Sequence, residues 1–554
     1  MQEINILIGG ETGYGINDAG VILCRLFGRM GYRLYMYNDF PSLIRGGHQF
    51  VKVRATLEKI AAHKNQVDVV LAFNQDTIKF HKDEFGEKTI IIYDSEKVNT
   101  DSLNLTAVGL PLKKILKEVE GTREMGSSCM IGALCKTLDI DISIFENLIK
   151  KHISEMAEKN INIAHQGYLL SRHYDSMDVS NLPVLPVLSG SQAISIGLLK
   201  AGLKAYVAYP MTPTSPIMEF LASVEPEFGL QVVPPESEIA VMLMALGYSY
   251  MGVKTAVGTS GGGFSLMVEG LGLAGIAELP IVVVMGQRAG PSTGMPTYTA
   301  QTDLHFILNA SQGEFPRLIV APGDAEEAYY WSGVALNKAW KYQLPAFILT
   351  DKTLGLGFYS FDLSLSANLE DEDPVFWNGS GEYKRYKNTD DGISPLAFAP
   401  VLNQVIKTNS YVHDENGLTS EDPEMAKANT DKRYLKEKNL ASELEEYETV
   451  KVYNEGHKLS LLCWGSNKGV CIEIGRKYGL KVIQVLLLSP FPEKALHQAL
   501  QGVEKLIGVE CNAKGQLAIL LKQNGFQTDE QILKYDGRPF SVEELENEVK
   551  KVIK

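Results

Sequence analysis

Short apolar runs alternate with helix-patterned segments along most of the 554-residue chain, and this alternation constrains the fold more than any other feature. Near the N-terminus, the runs that predict strands cover residues 4–8, 33–37, 67–73 and 89–93. The segments with helical spacing of apolar residues there are 17–30, 130–138 and 142–158. Apolar strands bounded by polar residues are typical of parallel sheets covered by helices. The chain is therefore predicted to be an α/β protein.

The same pattern returns twice, which predicts three α/β domains. A segment with Pro183 and Pro186, at 174–188, lacks periodicity and predicts a linker. Between 411 and 450, acidic residues outnumber basic ones eleven to five, which indicates a solvated, partly irregular connector. The predicted domains are 1–175, 189–365 and 456–554, with the acidic connector at 366–455.

Composition excludes several classes of protein. The net charge of −14 argues against a nucleic-acid binder, because phosphate contacts need clustered Lys and Arg. No apolar stretch reaches about 20 residues, and the N-terminus lacks a signal-peptide pattern, so we expect a cytoplasmic protein without membrane spans. The cysteines form no Cys-x-x-Cys pair, which predicts buried, reduced thiols and no metal site on this chain. They are Cys24, Cys129, Cys135, Cys463, Cys471 and Cys511.

A glycine-rich turn follows the first predicted strand. Gly9, Gly13 and Gly15 precede a helix, where backbone N–H groups can meet a phosphate. Asp39 comes after the second strand, the place of a ribose-binding acid in dinucleotide-binding domains. The pattern favours either a nicotinamide site or only a tight strand-to-helix turn.

A second glycine pair follows Arg45. With Gly46 and Gly47, this guanidinium and the exposed backbone N–H groups would suit an anion. The alternative is an arginine that caps a turn.

The middle segment contains a stiff loop and a candidate acid. Residues 209–217, YPMTPTSPI, follow a predicted strand and carry the hydroxyls of Thr212 and Thr214. Glu238 opens a strongly apolar helix, where a desolvated carboxyl suits proton transfer. The alternatives are an acid that favours the helix dipole, or the same roles for Glu236.

A polar loop, QRAGPSTGMPTYTAQTD at 287–303, follows the predicted strand at 281–285. Arg288 in this loop could hold a carboxylate bidentately, with Ser292, Thr293 and Thr297 as further donors.

Five motifs together resemble the alpha subunit of the 2-oxoacid:ferredoxin oxidoreductases, in the fused type with a gamma domain before the alpha region. YPMTP resembles the family's YPITP loop, and QRAGPSTGMPT resembles its R-x-GPSTG-x-PT signature. Residues 259–284 resemble its TSGPGFSLM stretch, FPSLIRGGH its gamma-domain YPSxIRGGH, and VECNAKGQLA its VE-x-N-x-x-GQLA. The resemblance covers the chain in order, and implies a gamma domain, a pyrimidine-type thiamine-diphosphate-binding domain and a transketolase C-terminal-like domain.

The resemblance implies oxidative decarboxylation of a 2-oxoacid with thiamine diphosphate and coenzyme A, giving acyl-CoA, CO2 and reduced ferredoxin. Glu238 would bind N1′ of the aminopyrimidine and favour the tautomer that deprotonates C2. Gly247 lies nine residues after Glu238. Related thiamine enzymes have this spacing between the glutamate and a helix glycine, which favours Glu238 over Glu236. The other residues implied to contact the cofactor are Tyr209, Pro210, Thr259, Ser260, Arg45, Gly46 and Gly47.

The substrate-binding residues follow from the same resemblance. Thr212 would contact the substrate's carboxylate or keto oxygen, and Arg288 would pair with the carboxylate. The remaining residues assigned to the substrate are Ser292, Thr293, Thr297 and Tyr298. Three roles stay open for Arg45 and His48: contact with coenzyme A, with the edge of thiamine diphosphate, or only with the subunit interface.

The chain lacks the GDG…N pattern that holds magnesium and diphosphate in thiamine enzymes. Asp390-Asp391-Gly392 follows no strand and is rejected as a substitute. A beta subunit is therefore expected to supply Mg²⁺, the diphosphate contacts and a [4Fe–4S] cluster, in an alpha2beta2 assembly that reduces ferredoxin.

Two departures from the family pattern leave alternatives open. Tyr298 stands where many relatives have Arg or Lys, which weakens the case for a dianionic substrate, and Gly262 stands where the family usually has proline. A non-catalytic paralogue that binds only its partner is one alternative. A nicotinamide-dependent dehydrogenase that uses the turn at 9–15 is the other.

Overall fold

The computed structural model describes residues 1–41, 46–178 and 180–553, and only the backbone of Ser154. Strands β1–β20 and helices α1–α19 are numbered in chain order. The chain forms two compact units. Unit 1 comprises Met1–Ser189, Leu356–Asp362 and Phe540–Asn547, and unit 2 comprises Gly190–Gly355, Leu363–Pro539 and Glu548–Lys554.

Unit 1 contains one eight-stranded mixed sheet in the order β6-β5-β4-β1-β3-β2-β14-β7. Its strands are β1 (Glu3–Glu11), β2 (Arg33–Asp39), β3 (His48–Thr56), β4 (Val67–Ala72), β5 (Phe85–Asp94), β6 (Thr106–Leu110), β7 (Val187–Ser189) and β14 (Phe358–Ser360). Its helices are α1 (Ile16–Arg29), α2 (Gln75–His81), α3 (Leu112–Glu118), α4 (Gly126–Thr137), α5 (Ile142–His152) and α6 (Ala157–Leu170).

Helices α4 and α6 pack closely because glycines stand at their contact. A Cβ at Gly132 would lie 1.9 Å from the Ala164 carbonyl oxygen, and one at Gly167 would lie 2.0 Å from that of Cys129. Any side chain at either glycine would force the helices apart. The segment 142–158, predicted as one helix, is broken after His152 and restarts at Ala157.

Unit 2 contains two sheets. The seven-stranded sheet has the order β18-β12-β13-β11-β10-β8-β9, and the five-stranded sheet the order β15-β17-β16-β19-β20. The strands of the first are β8 (Ala205–Val207), β9 (Gln231–Val233), β10 (Thr255–Thr259), β11 (Ile281–Gln287), β12 (Leu318–Val320), β13 (Pro345–Asp351) and β18 (Leu487–Ser489). Those of the second are β15 (Val450–Tyr453), β16 (Leu459–Cys463), β17 (Lys481–Val485), β19 (Lys505–Glu510) and β20 (Glu530–Leu533).

The helices of the remaining chain alternate with these strands. They are α7 (Gly190–Lys200), α8 (Ser215–Ser223), α9 (Glu225–Phe228), α10 (Glu238–Tyr250), α11 (Gly261–Ala277), α12 (Leu304–Asn309), α13 (Ala325–Tyr342), α14 (Lys352–Leu356), α15 (Pro423–Leu444), α16 (Lys468–Tyr478), α17 (Glu493–Ala499), α18 (Gln516–Gln523) and α19 (Val542–Val552). The prediction of an α/β protein is confirmed.

The strand order of the seven-stranded sheet reverses at β8. The chain steps from β8 outward to β9, and then returns to the other side of β8 with β10 and β11, all parallel. Such a reversal leaves a crevice at the carboxyl ends of the two central strands, where open α/β sheets bind ligands. The loops that follow β8, β10 and β11 are therefore placed at one edge of the sheet.

The acidic segment 366–455, predicted as a solvated and partly irregular connector, is partly helical and partly buried. It contains the 22-residue helix α15, which docks through buried lysines. Lys432 and Lys436 both contact Glu278, at 2.9 Å for Lys432 Nζ. Apolar periodicity is weak in α15 because Lys432 and Lys436 occupy buried positions that leucine usually fills.

The six cysteines are buried free thiols, as predicted. Among the helices in the described ranges, we find none with both the length and the apolar character that a bilayer span requires.

Candidate active site

A cavity of about 720 Å³ lies at the carboxyl ends of β10 and β11, entirely within unit 2. Residues that follow each strand, together with the starts of the three helices α10, α11 and α12, form its wall. The lining residues are Met211, Glu238, Gly261, Gly262, Gly263, Ser265, Leu266, Arg288, Gly290, Pro291, Ser292, Thr293, Asp303 and Phe306. Four predicted site residues thus come together here: Glu238, Arg288, Ser292 and Thr293.

Glu238 is the first residue of α10, and its side chain is only 6 % exposed. The hydroxyl of Ser237 caps the helix by accepting from the Ala240 N–H at 3.4 Å. A Cβ at Gly263 would lie 2.5 Å from Glu238 Oε1 and 2.4 Å from the Thr259 hydroxyl. Glycine at 263 is therefore what lets the buried carboxyl occupy this wall. The rival candidate, Glu236, is exposed.

Arg288 directly follows β11, and its Nη1 donates to the Thr212 carbonyl at 3.0 Å. Its Nε is buried without a hydrogen-bond partner in the described part of the chain. Burial lowers the pKa of Arg288, against the opposing charges of Asp303 and Glu238. The guanidinium is thus a cation held at its loop by one hydrogen bond, with donor capacity left for an anion.

The GPSTG sequence forms a tight turn beside this arginine. Met295 N–H donates to the Ala289 carbonyl at 2.8 Å, and the two residues form a β-bridge. Gly294 has a φ of 49°, and a Cβ there would lie 2.0 Å from the Ala289 oxygen. The turn leaves Ser292 and Thr293 exposed at the rim of the cavity.

Asp303 is a cavity residue that the sequence did not single out. It stands just before α12, and its backbone N–H donates to Gln287 Oε1 at 3.1 Å. A Cβ at Gly261 would lie 2.6 Å from Asp303 Oδ1, so the carboxyl packs against the start of α11. Burial raises the pKa of Asp303 to about 6, although Arg288 opposes the shift. The only signal in the sequence was its position at the end of the polar loop.

The loop after β8 contributes Met211 to the cavity, whereas the predicted Tyr209, Pro210 and Thr212 are not among its lining residues. Tyr209 and Pro210 are exposed, and Thr212 offers its carbonyl to Arg288. Ser260 is fully buried and donates to the Met211 sulfur at 2.6 Å. Of these residues, only Met211 lines the cavity.

Three further predicted residues lie outside the lining. Thr259 is buried beside Gly263, as described above. Thr297 is buried, and no hydrogen-bond partner for its hydroxyl occurs in the described residues. Tyr298 lies against Arg538, whose guanidinium carbon stands 4.1 Å from the ring centroid. None of the three lines the cavity.

The gamma-type candidates belong to unit 1. Arg45 lies outside the described residues. Gly46 and Gly47 have φ values of 64° and 130°, backbone conformations that favour glycine. His48 Nε2 lies 3.0 Å from His81 Nε2, and burial together with His81 lowers the pKa of His48 to about 4, so it is neutral at pH 7.

The first glycine turn does not match a dinucleotide site. Strand β3 lies between β1 and β2 and is antiparallel to both, whereas a dinucleotide fold pairs its first two strands directly. Asp39 is buried and accepts a hydrogen bond from the Tyr37 hydroxyl at 2.9 Å. A Cβ at Gly9 would lie 2.7 Å from Thr77, so this glycine serves packing.

In residues 1–41, 46–178 and 180–553, no three His, Cys, Asp or Glu side chains converge in a way that could hold a metal ion.

Two family models match the chain. Residues 5–170 match the family described as pyruvate ferredoxin/flavodoxin oxidoreductase. Residues 196–431 match the family described as pyruvate flavodoxin/ferredoxin oxidoreductase, thiamine diP-bdg. The second match contains every residue that lines the cavity.

Named relatives match over the whole length. The 2-oxoacid:ferredoxin oxidoreductase subunit alpha of Saccharolobus solfataricus is 32 % identical, covering 100 % of this chain and 98 % of the relative. The 2-oxoglutarate synthase subunit KorA of Methanocaldococcus jannaschii is 29 % identical, covering 65 % of this chain and 98 % of its own.

The solved structures that match over the full length of the chain include 2-oxoglutarate:ferredoxin oxidoreductase from Magnetococcus marinus, with 2-oxoglutarate, coenzyme A and succinyl-CoA bound. The TM-score is 0.90 at 27 % identity, and the match covers 100 % of both chains. The family expected from the motifs is confirmed, and the enzyme class with it. This chain belongs to the 2-oxoacid:ferredoxin oxidoreductases, as an alpha subunit of the fused gamma–alpha type.

Proposed function

We propose that this chain and a beta subunit oxidatively decarboxylate a 2-oxoacid with thiamine diphosphate and coenzyme A, giving acyl-CoA, CO2 and reduced ferredoxin. The observation that carries the proposal is the cavity that the buried carboxyl of Glu238 and the incompletely bonded guanidinium of Arg288 both line. The 2-oxoglutarate and coenzyme A in the Magnetococcus marinus relative support this substrate class.

The donor set fits the aminopyrimidine of thiamine diphosphate. Glu238 is buried, lines the cavity and has no hydrogen bond to its carboxyl from the described residues. Such a carboxyl would bind a ring nitrogen and hold a proton there. When bound, thiamine diphosphate supplies the nucleophilic carbon and the electron sink that decarboxylation needs. The residues that the family resemblance assigns to the cofactor remain proposals: Tyr209, Pro210, Thr259 and Ser260 in unit 2, and Arg45, Gly46 and Gly47 in the gamma-type segment.

Arg288 would bind the carboxylate of the 2-oxoacid. It is the one cation among the lining residues, all of which the structure describes, and its Nε has no other partner there. Ser292 and Thr293 add hydroxyl donors at the rim. Thr212, Thr297 and Tyr298 are proposed to act with them, although their side chains lie outside the lining. Burial strengthens such charge-assisted hydrogen bonds by excluding water.

We assign Mg²⁺, the diphosphate contacts and the [4Fe–4S] cluster to the beta subunit, in an alpha2beta2 complex. The assignment rests on the sequence, which has neither a GDG…N pattern nor a Cys-x-x-Cys pair. Ferredoxin would accept the electrons from that cluster.

The test is a matched pair of glutamate variants in the complex with the beta subunit. We expect the wild-type complex to reduce viologen or ferredoxin when supplied with thiamine diphosphate, coenzyme A and one of a panel of 2-oxoacids. Glu238→Gln should lower kcat by about 100-fold or more, because the amide cannot exchange the proton. Glu236→Gln, two residues away and exposed, should leave kcat within about 2-fold of wild type.

Three outcomes would contradict the proposal. Equal turnover of Glu238→Gln and wild type would favour the non-catalytic paralogue. Activity of the purified chain without a beta subunit would refute the two-subunit assignment. Saturable NADH binding at micromolar concentration would revive the dehydrogenase alternative.

A further inference from the structure

Asp303 is a carboxyl group inside the cavity to which the proposed function gives no role. Its side chain packs against Gly261 at the start of α11, and none of the described residues forms a hydrogen bond or ion pair with its carboxyl. Only its backbone is fixed, through the Gln287 side chain. The carboxyl does not even cap α12, the helix that it precedes.

The groups around Asp303 are few and uneven in charge. Arg288 approaches from the end of β11 as the only cation of the lining, and Glu238 from the start of α10 is a second acid that acts on the same guanidinium. The backbone start of α11 and the Ser265 hydroxyl complete the nearby polar groups. His305 is turned away, with Nε2 2.9 Å from the Gln516 carbonyl on α18.

A bound 2-oxoacid would add a third anion to this single cation. Unlike charges in a buried cavity attract strongly, but two carboxylates that share one partner repel each other, and one of them takes up a proton. The carboxyl of a 2-oxoacid is the stronger acid because of its adjacent carbonyl. The proton therefore goes to the protein.

We propose that Asp303 is a substrate-contacting residue, protonated when Arg288 holds the 2-oxoacid carboxylate, and that its O–H then donates a hydrogen bond to that anion. This inference rests on the proposed function. One proton from solvent is taken up by Asp303 on binding and is returned when the anion leaves, so no other acid or base is needed.

We expect the affinity for the 2-oxoacid to fall as the pH rises. In the free protein, the carboxyl of Asp303 has a pKa of about 6, and the bound anion would raise it further. Below about pH 6 the carboxyl is already protonated, and the substrate binds most tightly. Above that value a proton must be taken up with the substrate, so the apparent affinity falls by about 10-fold per pH unit until the pKa of the complex is reached.

The experiment compares Asp303→Asn with wild type in the complex with the beta subunit, using the 2-oxoacid that gives the highest turnover. KM is measured from pH 6 to pH 8. Proton uptake is measured by titration calorimetry in two buffers of different ionisation enthalpy, without thiamine diphosphate so that the 2-oxoacid is not consumed. Glu219→Gln, an exposed carboxyl change on α8, is the matched control.

We expect the wild-type KM to rise by up to about 100-fold between pH 6 and pH 8, with net proton uptake at pH 7.5. The neutral asparagine should reduce the rise to less than about 3-fold, abolish the uptake, and give a lower KM than wild type at pH 8. The control should behave as wild type. An Asp303→Asn variant with the wild-type pH slope and proton uptake would overturn the inference, and so would a variant whose KM is raised equally at every pH. In either case, thiamine-dependent turnover would leave the proposed function intact. A wild-type complex that oxidises no 2-oxoacid would instead refute the proposed function.

Discussion

Two regions of unit 2 that contain buried charges differ in how those charges are paired. Where α16 meets α13, Lys468 Nζ lies 2.5 Å from Asp324 and 2.6 Å from Glu327. In the cavity, Glu238, Arg288 and Asp303 form no ion pair within 4 Å, as far as the described residues show. Only the first region pairs its charges with one another.

The paired region is saturated with contacts. Glu327 also accepts from the Gln484 side chain at 2.7 Å and from the Gly323 N–H at 2.8 Å. Burial disfavours the charged form of Lys468, but Asp324 and Glu327 outweigh it and hold the pKa of Lys468 well above its ordinary value. These charges link the segment before β13 to the five-stranded sheet.

The contrast teaches what each set of charges is for. A buried charge is tolerated when its partners are present, and it is costly when they are absent. Charges that remain incompletely partnered in a cavity are therefore candidates for ligand binding.

The largest effect is expected from breaking the paired region. Lys468→Met would remove the buried cation that Asp324 and Glu327 share, leaving Lys451 at 3.3 Å from Glu327, and should lower the free energy of unfolding by about 3–5 kcal/mol. Denaturant unfolding of the full chain, followed by circular dichroism, measures this. Lys494→Ala removes an exposed pair with Glu445 and should cost less than about 1 kcal/mol. Equal losses for the two variants would show that the pairing in the buried cluster has no special value.

Removing the cation of the cavity should affect binding instead of stability. Arg288→Gln is expected to raise KM for the 2-oxoacid by roughly 10- to 100-fold, because a charge-assisted hydrogen bond to the carboxylate is lost. Steady-state kinetics of the complex measure it, and the melting temperature should stay at or above that of wild type. Lys200→Gln, an exposed cation on α7, is the control. An unchanged KM would remove Arg288 from the substrate site.

The smallest expected effect is a change in the free energy of unfolding at Asp303, and its sign distinguishes the two regions. Asp303→Asn should raise the free energy of unfolding by about 1–2 kcal/mol at pH 7.5, because an unpaired buried charge is removed. The folded pKa of Asp303, about 6, lies above the unfolded value of 3.8. The wild-type penalty is therefore full above about pH 6 and shrinks as the pH falls towards 4, so the gain must shrink with it. A destabilised variant at pH 7.5 would place Asp303 with the paired charges.

Local signals in the sequence located part of the site. Glu238 and Arg288 each follow a strand in a recognisable motif, and the cavity unites them as expected from parallel strands with a common edge. The choice of Glu238 over Glu236 agrees with their opposite exposure. The positions of Thr297 and Tyr298 outside the lining could not be foreseen, because the sequence shows that a loop is polar and not which side chains turn inward.

The features that were missed depend on distant contacts. The place of Asp303 beside Gly261 arises because β10 and β11 are neighbours, which no spacing in the sequence specifies. Helix α15 was overlooked because Lys432 and Lys436 dock it onto Glu278. A charged residue looks solvated in a sequence, and only the fold shows that its partner is buried with it.

The far end of the chain holds the cavity loop. Thr299 N–H donates to the Gly537 carbonyl at 3.0 Å, Gln301 N–H donates to the Cys511 carbonyl at 2.8 Å, and Arg538 covers Tyr298. In chimeras between this protein and its relatives, the loop at 288–303 and the turn at 536–538 should therefore be exchanged together. A chimera that takes the loop from one parent and the turn from another would lack the matched contacts that hold the loop in place.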